Sequence, residues 1–206
     1  MLNARKKRIA ISQRYDQVPG RDEWRDALDA KWAQLLEQLG FLPILLPNYL
    51  HDVVQYLESV GIDGLILSGG NDIGSAPLRD VLENEALLYA QRQNLPVLGV
   101  CRGMQFLSHT EGGNLHSRSG HVATRHKLNG HWAHKHGFVQ VNSYHNQAIL
   151  QNDCPEAFEV LATTEDGVVE AFRHKQRNWL GIMWHPEREV PFQESDLALI
   201  QAHFRN

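Results

Sequence analysis

"PVLGVCRGMQFL", residues 96–107, runs apolar up to a lone cysteine and then takes on a helical pattern. Residues 96–100 read as a buried strand and Arg102 onward as a helix, which leaves Cys101 at a strand-to-helix turn. Gly99 and Gly103 bracket it, and small neighbours permit both a sharp turn and a close approach of another backbone. A packed cysteine behaves as a small hydrophobe. What separates that reading from a presented nucleophile is what the rest of the chain brings to the same end of the sheet.

Working outward, short apolar runs alternate with longer amphipathic ones. Residues 8–13, 42–48 and 63–70 read as strands, and 51–61 and 77–94 as helices. Trp24, Leu28, Trp32, Leu35, Leu36 and Leu39 recur at helical spacing, which predicts a helix over 21–40 with both tryptophans in the core, Asp22 as cap and Gly40 as terminator. Strands alternating with helices argue for crossover units and a parallel sheet. After residue 112 the grammar changes: 136–147, 157–166, 168–176 and 178–187 read as strands joined by turns, before a final helix over 194–204. The expected fold is α/β, a mostly parallel central sheet flanked by helices with a late antiparallel extension, in one domain spanning 1–206.

Composition narrows the class. The 206 residues are 42% hydrophobic and 21% charged, as in an ordinary globular protein. A formal net charge of −4 argues against nucleic acid as a partner. The basic start Arg5–Arg8 is followed by too few apolar residues for a signal-peptide core, and no run approaches a membrane span. Two cysteines make no disulfide framework, so the cytoplasm is the expected location.

In open parallel sheets ligands bind beyond the carboxyl ends of the strands. Three stretches fall there: Cys101, the "SGGND" loop at 68–72, and "WHPER" at 184–188. His185 and Glu187 are two apart, so on extended chain they share a side and Glu187 can orient the imidazole toward Cys101. Such a set is a nucleophile, a base and an orienter. An adjacent imidazolium and a helix N-terminus both favour the reactive thiolate. The backbone N–H groups of Arg102 and Gly70 are candidates to hold an oxyanion.

Arg21 and Arg25 follow the first strand and are candidates for an anionic leaving group, against the plainer reading of a solvated face. His131, His134 and His136 cluster in "HWAHKH" without a nearby carboxylate, so neither metal nor cofactor is expected.

"LSGGND", "GVCRGMQFL", "VNSYHNQAI" and "GIMWHPE", in that order over nearly the whole chain, resemble the class I glutamine amidotransferases, with their flavodoxin-like core, and among them the γ-glutamyl hydrolase branch. The resemblance implies Cys101 as nucleophile, His185 as base, Glu187 as its partner, and Gly70 and Arg102 as oxyanion donors. It further implies that Gln105, Ser143, Tyr144 and His145 hold the glutamyl portion of a small-molecule substrate. "RDEWRDALDAKWAQLL" (21–36) is most similar to the hydrolases of capsule phosphoramidate synthesis, which free cytidine diphosphoramidate from a glutamyl conjugate. The chain reads "GGNDIGSAP" where the branch often has "GGxDVxP", and "SYHNQ" where it tends to have "SxHHQ". The first departure bears on substrate choice rather than on the chemistry. A glutaminase serving a separate synthase, a hydrolase of γ-glutamyl-GABA type, and a catalytically idle binding or sensing module are the alternatives.

Overall fold

A computed structural model describes residues 5–205. Its elements are β1 (Arg8–Ser12), β2 (Arg14–Gln17), β3 (Trp24–Ala27), α1 (Lys31–Gln38), β4 (Leu42–Leu46), α2 (Val53–Val60), β5 (Gly64–Leu67), α3 (Pro77–Arg92), β6 (Val97–Val100) and α4 (Arg102–Thr110). There follow β7 (His116–Ser117), β8 (Val122–Lys127), α5 (His131–Lys135), β9 (Gln140–Tyr144), β10 (Gln147–Ala148), β11 (Phe158–Thr163), β12 (Val169–His174), β13 (Trp179–Ile182) and α6 (Glu194–Arg205).

Seven strands form the central sheet in the order β11-β12-β13-β6-β5-β1-β4. The five from β13 to β4 are parallel, and β12 and β11 extend the edge antiparallel, as the change in sequence grammar predicts. Side chains alternate across the strands. Ile9, Ile11, Ile66, Leu98 and Val100 face one side, where they pack with Trp32, Leu35 and Leu36 of α1 and with Ile200 and Phe204 of α6. Ala10, Leu65, Leu67 and Val97 face the other, against Leu57 of α2, Leu82 and Ala86 of α3 and Met104 of α4. Both faces are covered, which is why these strands read as continuous apolar runs.

Two expectations need correction. The chain over 14–27 is not helical: β2 and β3 pair as an antiparallel hairpin, with Gln17 opposite Trp24. Trp24 is 46% exposed and stacks on Tyr15 at 4.8 Å between centroids, so only Trp32 joins the core. The helix starts at Lys31, whose N–H donates to the Asp29 carboxylate at 3.0 Å, and not at Asp22. Gly40, at φ +81°, does follow its end. The second correction concerns 136–147, whose strand β9 is confined to Gln140–Tyr144 and pairs with β8 outside the central sheet.

The strand nearest the C-terminus pairs with its sequence neighbour β12 on one side and with a distant strand on the other. β13 lies parallel to β6, with Val100 opposite Ile182, and the Cys101 N–H donates to the Ile182 carbonyl at 2.8 Å. The segments leaving β6 and β13 therefore emerge side by side.

Candidate active site

Cys101 stands between β6 and α4 at φ +51° and ψ −107°, a conformation that L-residues rarely adopt. Backbone strain of this kind persists only where the surroundings enforce it. Here they do so through close packing: a Cβ on Gly99 would lie 2.6 Å from the Gly103 carbonyl, and one on Gly103 would collide with the Leu67 carbonyl of β5. Any larger residue at either position would push α4 off the sheet.

His185, three residues beyond β13, is 2% exposed. Its Nδ1 lies 2.7 Å from Glu187 Oε1, and Glu187 is itself buried in the middle of a 3₁₀ turn, Pro186–Arg188. A point above Gly69 where a Cβ would sit is 2.6 Å from His185 Cε1 and 3.6 Å from the Cys101 Cβ, so the ring and the cysteine flank the same glycine. Burial by itself lowers the pKa of this imidazole. Hydrogen bonding to Cys101 and Glu187, and the charges of both, outweigh it and raise the pKa to about 9. The arrangement favours an imidazolium beside the sulfur.

The loop at 68–72 is fixed from beneath by buried charge. The Arg79 guanidinium of α3 donates to the Ser68 carbonyl at 2.7 Å and to Glu83 at 2.9 Å. The Arg102 side chain runs under the loop, donating through Nε to the Asn71 carbonyl at 3.1 Å and pairing with Glu83 and Asp80. Two guanidinium groups thus face two carboxylates, and burial lowers Arg79 to about 10 and Arg102 to about 9, still charged at neutral pH. The backbone of Arg102 serves differently: its N–H is the first of α4, and a helix gives its first N–H groups no internal acceptor. Gly70, at φ +125°, lines the cleft opposite.

That cleft, about 320 Å³, holds Cys101, Gly70, Gln105, Tyr144, Arg14 and Arg188 among its lining residues. A second one, about 240 Å³, opens on the Gly69 and Trp32 side of His185 and shares Arg14 and Arg188. A larger one, about 590 Å³, lies between α3 and α4 and carries none of Cys101, His185 and Glu187.

The remaining candidates divide. Gln105 is buried and donates through Nε2 to the Gln147 carbonyl at 2.9 Å at the cleft wall. Tyr144 is 42% exposed, packs edge-on to His185 and lies under the Arg188 guanidinium at 4.3 Å. Ser143 is not presented: its hydroxyl is buried and donates to the His121 carbonyl at 2.7 Å. His145 borders the cleft, but its Nδ1 lies 3.0 Å from the Gln147 carbonyl and its Nε2 3.5 Å from Glu170. Arg21 and Arg25 stand on the exposed hairpin, both beside Glu23, and the rim cations at the cleft are Arg14 and Arg188 instead. His131, His134 and His136 are exposed on and just after α5.

Sequence reasoning missed Asn142. Its side chain accepts from the His185 N–H at 2.9 Å and donates to the His185 carbonyl at 2.8 Å, fixing the backbone that carries the imidazole.

The comparisons with known proteins bear on the family and the fold. The chain is 33% identical to the gamma-glutamyl-CDP-amidate hydrolase of Campylobacter jejuni subsp. jejuni serotype O:2, over 88% of this chain and 90% of that one. It is 33% identical to one subunit of the glutamine-hydrolyzing GMP synthase of Methanococcus vannielii, over 61% and 65% of the two chains. Among solved structures, a glutamine amidotransferase from Thermotoga maritima has the same fold, with a TM-score of 0.68 at 14% identity over 97% of this chain and 84% of that one. Among the described residues, no helix is long and apolar enough to cross a membrane. The peptidase C26 family model matches residues 9–187, from the first strand to Glu187, and by that match the chain belongs to the peptidase C26 family.

Proposed function

We propose that this chain hydrolyses a γ-glutamyl C–N bond through a cysteine thioester, with Cys101, His185 and Glu187 as the catalytic residues. The observation that carries the reading is the His185 imidazole placed between the Glu187 carboxylate and Cys101, with its pKa raised. The thiolate attacks the γ-carbonyl carbon, and the carbonyl electron pair moves to oxygen. The N–H groups of Arg102 and Gly70 hold that oxyanion, each donor contributing about 3–4 kcal/mol in the transition state. His185 then gives its proton to the departing nitrogen as the C–N bond breaks, leaving a γ-glutamyl thioester. Water, losing a proton to the same imidazole, attacks the thioester; the sulfur departs and glutamate is released.

The substrate we favour is γ-glutamyl-CDP-amidate, giving glutamate and cytidine diphosphoramidate for capsular polysaccharide modification. The similarity to the Campylobacter hydrolase supports it. So do the exposed guanidinium groups of Arg14 and Arg188 on the cleft rim, a suitable pair for a diphosphate. Gln105 and Tyr144 line the same cleft, which supports them as the border of the glutamyl end. A glutaminase that passes ammonia to a separate synthase is the second reading, supported by the similarity to a GMP synthase component.

The test is glutamate release from γ-glutamyl-CDP-amidate, glutamine and γ-glutamyl-GABA, with Cys101→Ala as control. Preferential turnover of the nucleotide conjugate, lost in the variant, is expected. Turnover of glutamine alone would favour the second reading, and turnover surviving Cys101→Ala would sink the mechanism.

A further inference from the structure

Beneath the cleft, three imidazoles and a carboxylate converge on one point. His121 precedes β8, His126 lies in it, His145 follows β9, and Glu170 comes from β12 of the central sheet. One ligand-capable atom from each lies within 4.8 Å of all the others. Glu170 is 0%, His145 3% and His121 4% exposed. The buried atoms without a hydrogen-bond partner include His121 Nδ1, His126 Nε2, His145 Nε2 and both carboxylate oxygens of Glu170. Buried polar atoms are normally paired, and five unpaired in one place call for a physical account.

The outer contacts supply one. The Gln147 carbonyl can only accept, so the proton of His145 sits on Nδ1, 3.0 Å away, and the Nε2 lone pair turns inward. Asp166 Oδ2 lies 3.0 Å from His121 Nε2, which places that ring's proton outward and its Nδ1 lone pair inward. A histidine that ligates a metal characteristically donates its other N–H to a carbonyl or a carboxylate in this way. Nitrogen lone pairs aimed at a desolvated carboxylate repel it unless a cation stands between them.

We propose that His121, His126, His145 and Glu170 form a closed binding site for one divalent transition-metal ion of the zinc class. Three nitrogens and one oxygen suit a tetrahedral ion, and four protein ligands leave no open position for a substrate, so the role is structural. The ion ties the β8–β9 hairpin, which lies outside the central sheet, to β12 within it. It also reaches the cleft: the Gln147 carbonyl that orients His145 is the acceptor for Gln105. This inference stands on its own donor set and is independent of the reaction proposed above.

The experiment uses the untagged full chain prepared in zinc-replete medium. Metal analysis should find about one equivalent of zinc per chain. His126→Ala alters the most exposed of the four ligands and should lower retention at least about tenfold, whereas His134→Ala, on exposed α5, should leave it unchanged. If His126→Ala does not fold, wild-type protein stripped with a chelator decides: it should bind one equivalent of Co²⁺ with the visible absorption of a tetrahedral site, displaced by Zn²⁺. Wild-type protein that retains no metal and shows no saturable Co²⁺ spectrum would overturn the proposal. Retention that survives His126→Ala but falls in His134→Ala would overturn it as well.

Discussion

Asn142 holds His185 by both of its backbone polar groups, accepting from the N–H at 2.9 Å and donating to the carbonyl at 2.8 Å. Both residues are buried, so the clamp works without competition from water. Its Nδ2 also reaches Glu189 at 2.9 Å, which ties β9 to the turn carrying Glu187.

Asn142→Ala removes the clamp and strands two buried backbone groups. A loss of about 1–3 kcal/mol of stability per unsatisfied group is expected, read from denaturant unfolding. Turnover should fall about tenfold or more while KM stays within about twofold, because the imidazole loses its position and the binding surface does not. A fall in stability with unchanged turnover would show that the clamp does not position His185.

The pKa of about 9 for His185 in the folded chain exceeds the 6.5 of a free imidazole. A raised pKa contributes stability that is complete below pH 6.5 and is lost as pH climbs through 9. Glu187→Gln removes much of the cause. The stability gap between wild type and Glu187→Gln should therefore be at least about twice as large at pH 6 as at pH 10. A gap independent of pH would contradict the imidazolium.

Gly69→Ala would bring a methyl group within 2.6 Å of His185 Cε1, closer than real contacts allow. The ring must move, and a displacement of about 1 Å costs about 10²-fold in kcat. Circular dichroism should show an unchanged fold. Wild-type kcat in Gly69→Ala would mean that the ring has room to spare.

Glu83 faces both Arg79 and Arg102 in the interior. Glu83→Gln leaves two buried guanidinium groups short of a charge and should cost about 3–5 kcal/mol, measured by urea unfolding. A change of under about 1 kcal/mol would mean that Asp80 alone compensates them.

Arg188 separates the two readings of the substrate. Arg188→Ala should raise KM for γ-glutamyl-CDP-amidate about 10-fold or more, the value of a lost charged hydrogen bond, without a matching change for glutamine. Equal effects on both substrates would place Arg188 at the glutamyl end.

The strands of the central sheet, and the placing of Cys101 and of His185 with Glu187 beyond strand ends, were legible in the sequence because those signals are local; the β6–β13 pairing that brings the two ends together is long-range and was not. An apolar run ending at a small-residue turn marks a strand end, and residues two apart on extended chain share a side. Trp24 failed for the complementary reason. Its spacing with Leu28 and Trp32 fits a helix, yet its partner is Tyr15 across a hairpin, which a helical window does not see. Asn142, 43 residues before the histidine it clamps, carries no sequence signal of that role. Nor do His121, His126, His145 and Glu170, which come from β8, the end of β9 and β12 without the close spacing of a metal motif. The histidines of 131–136 cluster only as neighbours in sequence, and α5 leaves them exposed.

The direct ladder bond from Cys101 to Ile182 has an evolutionary corollary. Cys101 and the segment leading to His185 leave neighbouring strands, about 4.8 Å apart, so sheet geometry rather than the intervening polypeptide governs how near they lie. Insertions in the segments around 111–120 or 151–157 alter the periphery without stretching that interval. The outer wall of the cleft is therefore free to change without moving Cys101 relative to the β13 end.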